Sequence, residues 1–395
     1  MNGSPFPANR GLRDRIVFVK YGSFSHVNGK VEAILRERFP EYHLEVVDAA
    51  RDILASYPLL SLWLRLKASL KRLLPFIRGR HSPWDFVFQE PKAWGLISSW
   101  ILRHADPNRV AFIFQTQSMF DASHPGIPFF IYTDHTREAH RRQPYSGAPA
   151  PASETWKRAE AALYGKAKTV FTLSRFCADS VIHDYGVPEG RVLAVSTGIN
   201  MELPILDWAS RERKPVILFV GNDWEIKGGN ELVAAFALVR LEIPSEELWV
   251  VGCQPPVMHE GMRLFSRVEL GELDKLFRKA SLVCVPSRVE RASMLSLDAA
   301  AYGLPVITTP HGAGSERVRH GVTGLLADPA DTESFAAAII GLLKDPDRAS
   351  AMGRAGRKMV EEEFTWDAVG GKITDRIRSQ LSGTHDHEQK ARSKG

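Results

Sequence analysis

Short apolar runs rich in β-branched and aromatic residues alternate along this chain with longer stretches of helical periodicity. The first half contains RIVFVK, HLEVVD, VAFIFQ, FFIYT and TVFTLS, and the second half restarts the rhythm with PVILFVG, LWVVG, SLVCVPS and LPVITT. Buried strands alternating with helices are typical of repeated βαβ units and a parallel sheet. The pattern predicts an α/β protein of two tandem doubly wound domains. Such sheets bind ligands at the carboxyl ends of their strands, so we expect functional loops to face a central cleft.

Changes in composition divide the chain further. The stretch TGINMELPILDWASRERK between the two sets of strands is turn-forming and then charged, without a sustained period, and it predicts the hinge. The predicted segments are a disordered start (1–14), a first domain (15–198), a hinge (199–214), a second domain (215–365), a helix that packs back on the first domain (366–381) and a disordered tail (382–395).

The stretch SLVCVPSRVERASMLSLDAAAYGLPVITT carries the most chemical information. A buried strand leads into a loop with Glu290, and a helix begins near Ser293, which is a candidate N-cap. The backbone amides of Ser293, Met294 and Leu295, together with the helix dipole, predict an anion site suited to a diphosphate. Asp298 follows Glu290 by eight positions, so both carboxylates are expected to reach one ligand.

A second candidate is the stretch FVGNDWEIKGGNELVAAF, in which a strand ends at Gly221 and Asn222 follows. Lys227 and two glycines then open an amphipathic helix. This placement predicts that one ammonium group and several amides point at a phosphate group.

Three further loops are expected at the cleft. Gly312 lies in the run HGAGSE after the strand LPVITT, and Gly22 follows the opening strand, where a glycine permits close approach of backbone to a ligand. His135 comes just after the strand that ends at Thr133, at the predicted edge of the cleft. We expect Gly22 and His135 on the acceptor side.

Each of these residues also has a purely structural interpretation. Glu290 and Asp298 could be solvated carboxylates, and Lys227 an exposed lysine at a helix start. Gly312 could belong to an ordinary strand-to-helix turn, and His135 could be a hydrogen-bonded structural histidine. The combination of motifs favours function for the two carboxylates, the lysine and the histidine. For Gly312 the two interpretations stay equal.

Taken together, these stretches resemble the retaining glycosyltransferases of family four, which have the GT-B fold of two Rossmann-like domains. The resemblance implies that Glu290 contacts the donor sugar and that Asp298 binds the ribose. It places His135 beside the reacting sugar, so Glu290 and His135 are the candidate catalytic residues. The implied donor diphosphate site comprises Gly221, Asn222, Lys227, Ser293, Met294 and Leu295, with Gly22 and Gly312 as donor or acceptor loops. Asp298 and Asn222 depart from the family pattern, which has Glu and commonly Arg there.

The resemblance further implies transfer of a sugar from a UDP-, GDP- or ADP-sugar to an acceptor hydroxyl with retention of anomeric configuration, in glycan or glycolipid assembly. It implies no cofactor besides this co-substrate and no metal, since the sequence DPD at 345–347 is interpreted as a turn and helix cap. Two rival interpretations stay open. One is a nucleotide-sugar-binding protein with weak or lost catalysis, and the other is an epimerase or phosphorylase of the same fold.

Composition limits the class of protein but does not identify it. Of 395 residues, 44% are hydrophobic and 25% charged, which excludes a disordered, collagenous or coiled-coil chain. The three cysteines lie far apart without metal or disulfide spacing. The polar start and the lack of a long apolar run predict a cytoplasmic protein.

The net charge of +5 leaves room for an anionic partner. Residues 53–84 contain six basic residues and no acidic one, with Leu and Trp at helical spacing. A cationic amphipathic helix of this kind can lie on an anionic membrane surface, which suits a lipid-linked acceptor and a peripheral location on the cytoplasmic face. Packing on its own sheet is an equal alternative. No nucleic-acid-binding signature accompanies the charge.

Overall fold

The structure is a computed structural model, and it describes residues 13–57, 91–143, 154–206 and 215–392. Most of the predicted disordered start, the part of the basic stretch from residue 58 onward and the second half of the predicted hinge lie outside these residues.

The first lobe, which comprises the described residues up to 198, is a parallel six-stranded sheet with helices on its faces. Its elements are β1 (Arg15–Lys20), α1 (Val27–Arg38), β2 (His43–Asp48), α2 (Pro91–His104), β3 (Val110–Thr116), β4 (Phe129–Thr133), α3 (Arg137–Arg141), α4 (Glu154–Lys166), β5 (Thr169–Thr172), α5 (Arg175–His183) and β6 (Val192–Ala194), with short turns of helix at Ala49–Ile53, Leu54–Ser56 and Glu189–Arg191. The strand order is β2-β1-β3-β4-β5-β6.

The second lobe, residues 215–365, repeats this architecture with a second parallel sheet. Its elements are β7 (Val216–Val220), α6 (Gly229–Glu242), β8 (Glu247–Val251), β9 (Met262–Phe265), α7 (Leu270–Lys279), β10 (Leu282–Val285), α8 (Met294–Ala301), β11 (Val306–Thr308), α9 (Gly314–Arg317), β12 (Gly324–Leu326), α10 (Thr332–Lys344) and α11 (Pro346–Glu363). The strand order is β12-β11-β10-β7-β8-β9, so β7 and β10 are neighbours. The predicted α/β class with two doubly wound domains is confirmed.

The central strands are buried along their whole length. Every residue of β3, β4 and β10 is buried, because helices cover both faces of each sheet. This arrangement explains why the strands are continuous apolar runs instead of alternating apolar and polar positions. Because both faces are covered, we expect ligands to bind at the loops that follow the carboxyl ends of the strands.

The final helix, α12 (Trp366–Arg392), returns to the first lobe and packs on α1. Gly370 lies against Ile34, where an added Cβ would be 3.1 Å from three of its carbon atoms. The indole nitrogen of Trp366 donates to the carbonyl of Ile199 at 2.8 Å and so joins the helix to the crossover between the lobes. The sequence prediction ended this helix at 381. It runs eleven residues further, to Arg392, and the last five of these residues, EQKAR, are good helix formers.

Within the described residues, no helix combines the length and the apolar character that crossing a bilayer requires.

Candidate functional site

Glu290 is the centre of the site that the loops form. It lies in the loop between β10 and α8, and its side chain is 7% exposed. One carboxylate oxygen, Oε1, accepts a hydrogen bond from the amide of Ser293 at 3.0 Å. The other, Oε2, lies 3.4 Å from Nζ of Lys227. The two residues that the sequence assigned to sugar and diphosphate binding are thus in contact.

The start of α8 differs in one detail from the sequence prediction. Ser293 was the candidate N-cap, but its backbone has a left-handed conformation (φ 50°) and its hydroxyl bonds the hydroxyl of Ser296 at 2.8 Å. Glu290 supplies the missing acceptor. The amide of Ser293 is therefore engaged, whereas those of Met294 and Leu295 have no acceptor among the described residues. Two amides at the positive end of the helix dipole remain available to an anion.

Close backbone packing fixes Lys227. Gly228, which follows it, has φ +74°, and a Cβ there would lie 1.9 Å from the carbonyl oxygen of Pro286. A Cβ on Gly221 would lie 3.0 Å from Cγ of Lys227. Only glycine fits at position 228, so the loop after β7 packs directly on the turn after β10. This packing brings the ammonium group to Glu290. Asn222, the residue after Gly221, is exposed.

The backbone of Glu290 is held from both lobes. Its amide donates to Oε1 of Gln143 at 2.5 Å, and its carbonyl accepts from the amide of Ala313 at 3.0 Å. Gly312 has φ +57°, and a Cβ there would lie 2.1 Å from the same carbonyl oxygen. The lack of a side chain at Gly312 lets the loop after β11 approach Glu290 closely. Its predicted role at a donor or acceptor stays a prediction. Gln143 belongs to no motif and was missed.

His135 lies at the end of β4 and pairs with its neighbour in sequence. Its Nδ1 is 2.9 Å from Oδ1 of Asp134, whose other oxygen lies 3.9 Å from the guanidinium of Arg291 in the second lobe. Burial works against ionisation of Asp134, but His135 and Arg291 outweigh it and lower its pKa to about 2. Burial first, and then the charge of Arg291, lowers the pKa of the nearby His140 to about 3. The contact of Asp134 with Arg291 places this segment at the boundary between the lobes. A role of His135 at the sugar stays a prediction.

Asp298 has a partner that the sequence did not indicate. The side chain is buried, and Oδ1 accepts from the amides of Asn200 and Met201 at 2.8 and 3.2 Å. Burial raises its pKa to about 6, although the two amides oppose this shift. The carboxylate ties α8 to the crossover between the lobes, so the ribose contact, which stays a prediction, would fall to the other oxygen.

Gly22 stands apart from the Glu290 group. It has φ +56°, and its amide donates to Asp48 at 3.2 Å while its carbonyl accepts from the side chain of Asn28 at 2.8 Å. Both contacts are with residues of the first lobe, and among the described residues no contact joins Gly22 to Glu290. Its predicted acceptor role stays a prediction.

Two residues of α9 fasten the lobes together. Glu316 accepts from the first two amides of α5, those of Arg175 at 2.7 Å and Phe176 at 2.8 Å. The buried Arg317 donates to the carbonyls of Ala292 and Leu173, one in each lobe. These contacts join α9 of the second lobe to the start of α5 in the first. No group of three His, Cys, Asp or Glu side chains in the described parts of the chain is arranged to hold a metal ion.

Two family models match parts of this chain. The family described as "Glycosyl transferases group 1" matches residues 214–345, and "Glycosyltransferase Family 4" matches residues 113–203. A D-inositol 3-phosphate glycosyltransferase of Thermobispora bispora is 28% identical over 296 residues, which cover 66% of this chain and 67% of that protein. A glycogen synthase of Mycobacterium tuberculosis is 26% identical over 62% of this chain and 64% of its own length. The chain thus spans about two thirds of the length of these relatives.

Solved structures show the same fold. Sucrose-phosphate synthase from Thermosynechococcus elongatus superposes with a TM-score of 0.70 at 18% identity, covering 94% of this chain and 100% of the other. Anabaena HepE in complex with UDP and glucose gives a TM-score of 0.62 at 13% identity over 93% of this chain and 100% of the other.

Proposed function

Because this chain belongs to glycosyltransferase family four and has the GT-B fold, we propose that it transfers a sugar from a nucleoside-diphosphate sugar to an acceptor hydroxyl. The contact of Lys227 with the buried Glu290, beside the two available amides of α8, is the observation that carries this proposal. A cation and helix amides suit a diphosphate, and a carboxylate suits sugar hydroxyls.

The proposed chemistry is electrostatic. As the bond from the sugar to the diphosphate breaks, negative charge grows on the leaving group. The ammonium of Lys227 and the amides of Met294 and Leu295 stabilise that charge, and each well-placed donor contributes about 3 kcal/mol to lowering the barrier. Donor binding would draw Lys227 from Glu290 toward the phosphates and leave Glu290 to accept sugar hydroxyls.

Glu290 needs a fixed position for this role. Its side chain is anchored by the amide of Ser293, and its main chain by Gln143 and the loop at Gly312. His135, oriented by Asp134, is proposed to contact the sugar from the other wall. Retention of anomeric configuration is proposed because these motifs resemble those of retaining enzymes. The test is whether the product has the same anomeric configuration as the donor sugar.

The acceptor is proposed to be a glycan or a lipid-linked sugar that approaches along Gly22 and His135. The names of relatives refer to both kinds of molecule. They include the glycogen synthase and a GDP-mannose-dependent mannosyltransferase of Mycobacterium tuberculosis for a phosphatidylinositol monomannoside, 30% identical over 42% of this chain and 48% of its own. We propose a cytoplasmic enzyme, with residues 53–84 contacting the anionic face of a membrane.

Assays of transfer and hydrolysis over UDP-, GDP- and ADP-sugars test the proposal. We expect one donor to be used and Glu290→Gln to lower kcat/KM by about 100-fold, while Glu333→Gln, an exposed carboxylate on α10, leaves it unchanged. Tight donor binding without turnover would favour the rival binding protein, which Asn222 and Asp298 motivate. Formation of an isomeric sugar from a nucleotide sugar without an acceptor would favour the epimerase, and phosphorolysis would favour the phosphorylase.

A further inference from the structure

A second cavity lies in the first lobe, at the end of the sheet that faces away from the cleft. Its volume is about 530 Å³, within the range of small-molecule sites. Arg13 precedes β1, Pro128 precedes β4 and Lys168 precedes β5, so the amino ends of three strands border it. Ser98 and Leu102 of α2 contribute to another side. A ligand here would not compete with a nucleotide sugar.

The charged residues of this cavity are all basic. Arg13, Lys166 and Lys168 line it, and the lining within the described residues contains no carboxylate. Lys166 is paired with the buried Asp121 at 2.5 Å. Arg13 and Lys168 make no ion pair with any described residue, and the nearby Asp14 is paired with Arg109 at 2.6 Å. Two uncompensated cations therefore border the same space.

The rest of the lining combines one fixed donor with an apolar rim. Nδ1 of His124 accepts from the amide of Gly126 at 3.0 Å, which leaves Nε2 of the neutral ring as an N–H donor. Leu102 is 50% exposed, and the exposed Pro125 also lines the cavity. A lining that combines cations with apolar side chains suits a ligand that has both a charge and an apolar body.

We infer that this cavity binds the phosphate group of an anionic membrane lipid, with Arg13 and Lys168 as the principal contacts and Leu102 against the apolar part of the lipid. A free phosphate or sugar phosphate would use the same cations but would leave the exposed apolar rim unexplained. The site is independent of sugar transfer and is separate from residues 53–84, the stretch that the sequence indicated for membrane contact.

Co-sedimentation of the full chain with vesicles tests the inference. Vesicles of phosphatidylcholine, with and without phosphatidylglycerol, are compared for the natural chain and for Arg13→Gln/Lys168→Gln. Each basic residue near an anionic surface changes binding by roughly 5-fold, so we expect a loss of roughly 25-fold for the double variant on the anionic vesicles. The matched control is Lys279→Gln/Lys358→Gln, which removes two charges from the second lobe. Nucleotide affinity, unchanged in both, shows that the variants are folded.

Three results would overturn the inference. The first is an equal loss in the control, since net charge alone would then explain binding. The second is binding that disappears in Lys71→Gln/Arg72→Gln but persists in the cavity variant. The third is saturable binding of inorganic phosphate or glycerol 3-phosphate that needs Arg13 and Lys168, without binding to either vesicle, which would identify a soluble phosphate as the ligand.

Discussion

Gly312 gives the sharpest structural test of how Glu290 is positioned. A Cβ at this residue would lie 2.1 Å from the carbonyl oxygen of Glu290, whereas ordinary contact begins at 3.4 Å, so the loop after β11 and Glu290 must separate by about 1.3 Å. A displacement of about 1 Å at a reacting group can cost about 100-fold in rate. Gly312→Ala is therefore expected to lower kcat/KM by about 100-fold.

The same substitution also strains the backbone, because Gly312 has φ +57°. Gly321→Ala is the matched control, since Gly321 has φ +78° in the same lobe and an added Cβ would meet no atom within 4 Å. Both variants should lose about 1 kcal/mol of unfolding free energy from the left-handed conformation. Only Gly312→Ala should lose activity. Initial rates with the donor that the enzyme uses, together with urea unfolding, separate the two effects. A folded Gly312→Ala with the natural rate, or an equal loss in Gly321→Ala, would refute the reasoning.

Three further predictions concern charged residues. Lys227→Met should lower kcat by 100-fold or more in steady-state assays, because one donor to the leaving group is lost, while Lys279→Met should have no effect. Burial raises the pKa of Asp298 to about 6, so the folded state holds this proton more tightly than the unfolded state does. The free energy of unfolding should therefore fall by up to about 3 kcal/mol as the pH rises from about 4 to above 6. Asp298→Asn should lose this slope in urea unfolding measured across that range, and an unchanged slope would contradict the assignment. Glu316→Gln should speed hydrogen exchange of the first α5 amides, and unchanged exchange would show that this interlobe contact contributes nothing.

The convergence of Lys227 and Glu290 could be predicted from the sequence for a physical reason. Each follows a buried strand, and the carboxyl ends of parallel strands meet at one edge of the sheet. Because β7 and β10 are neighbours, their loops meet as well. Short stretches of sequence were sufficient to predict this part of the site. The strand and helix periods and the glycines of the connecting loops can each be recognised within a few residues.

Contacts between the lobes could not be predicted in this way. Gln143 holds Glu290 from 147 positions away, and Arg291 faces Asp134 across the cleft. Such pairs depend on how two separately folded sheets approach each other, which no local period encodes. Asp298 illustrates the same limit, because the helix register directs its carboxylate to the crossover, where backbone amides compete with any ribose. Two features of the sequence could have pointed to the contact between Asp134 and Arg291. Asp134 directly precedes the candidate His135, and Arg291 directly follows the candidate Glu290.

The central claim is that a nucleoside diphosphate binds between Lys227 and the start of α8. Calorimetric titration of the natural chain and of Lys227→Met with UDP, GDP and ADP tests it most directly. The account predicts saturable binding of one of these nucleotides to the natural chain and a loss of about 10-fold or more in affinity for the variant. Equal affinity of the two proteins, or binding of none of the three nucleotides, would contradict it.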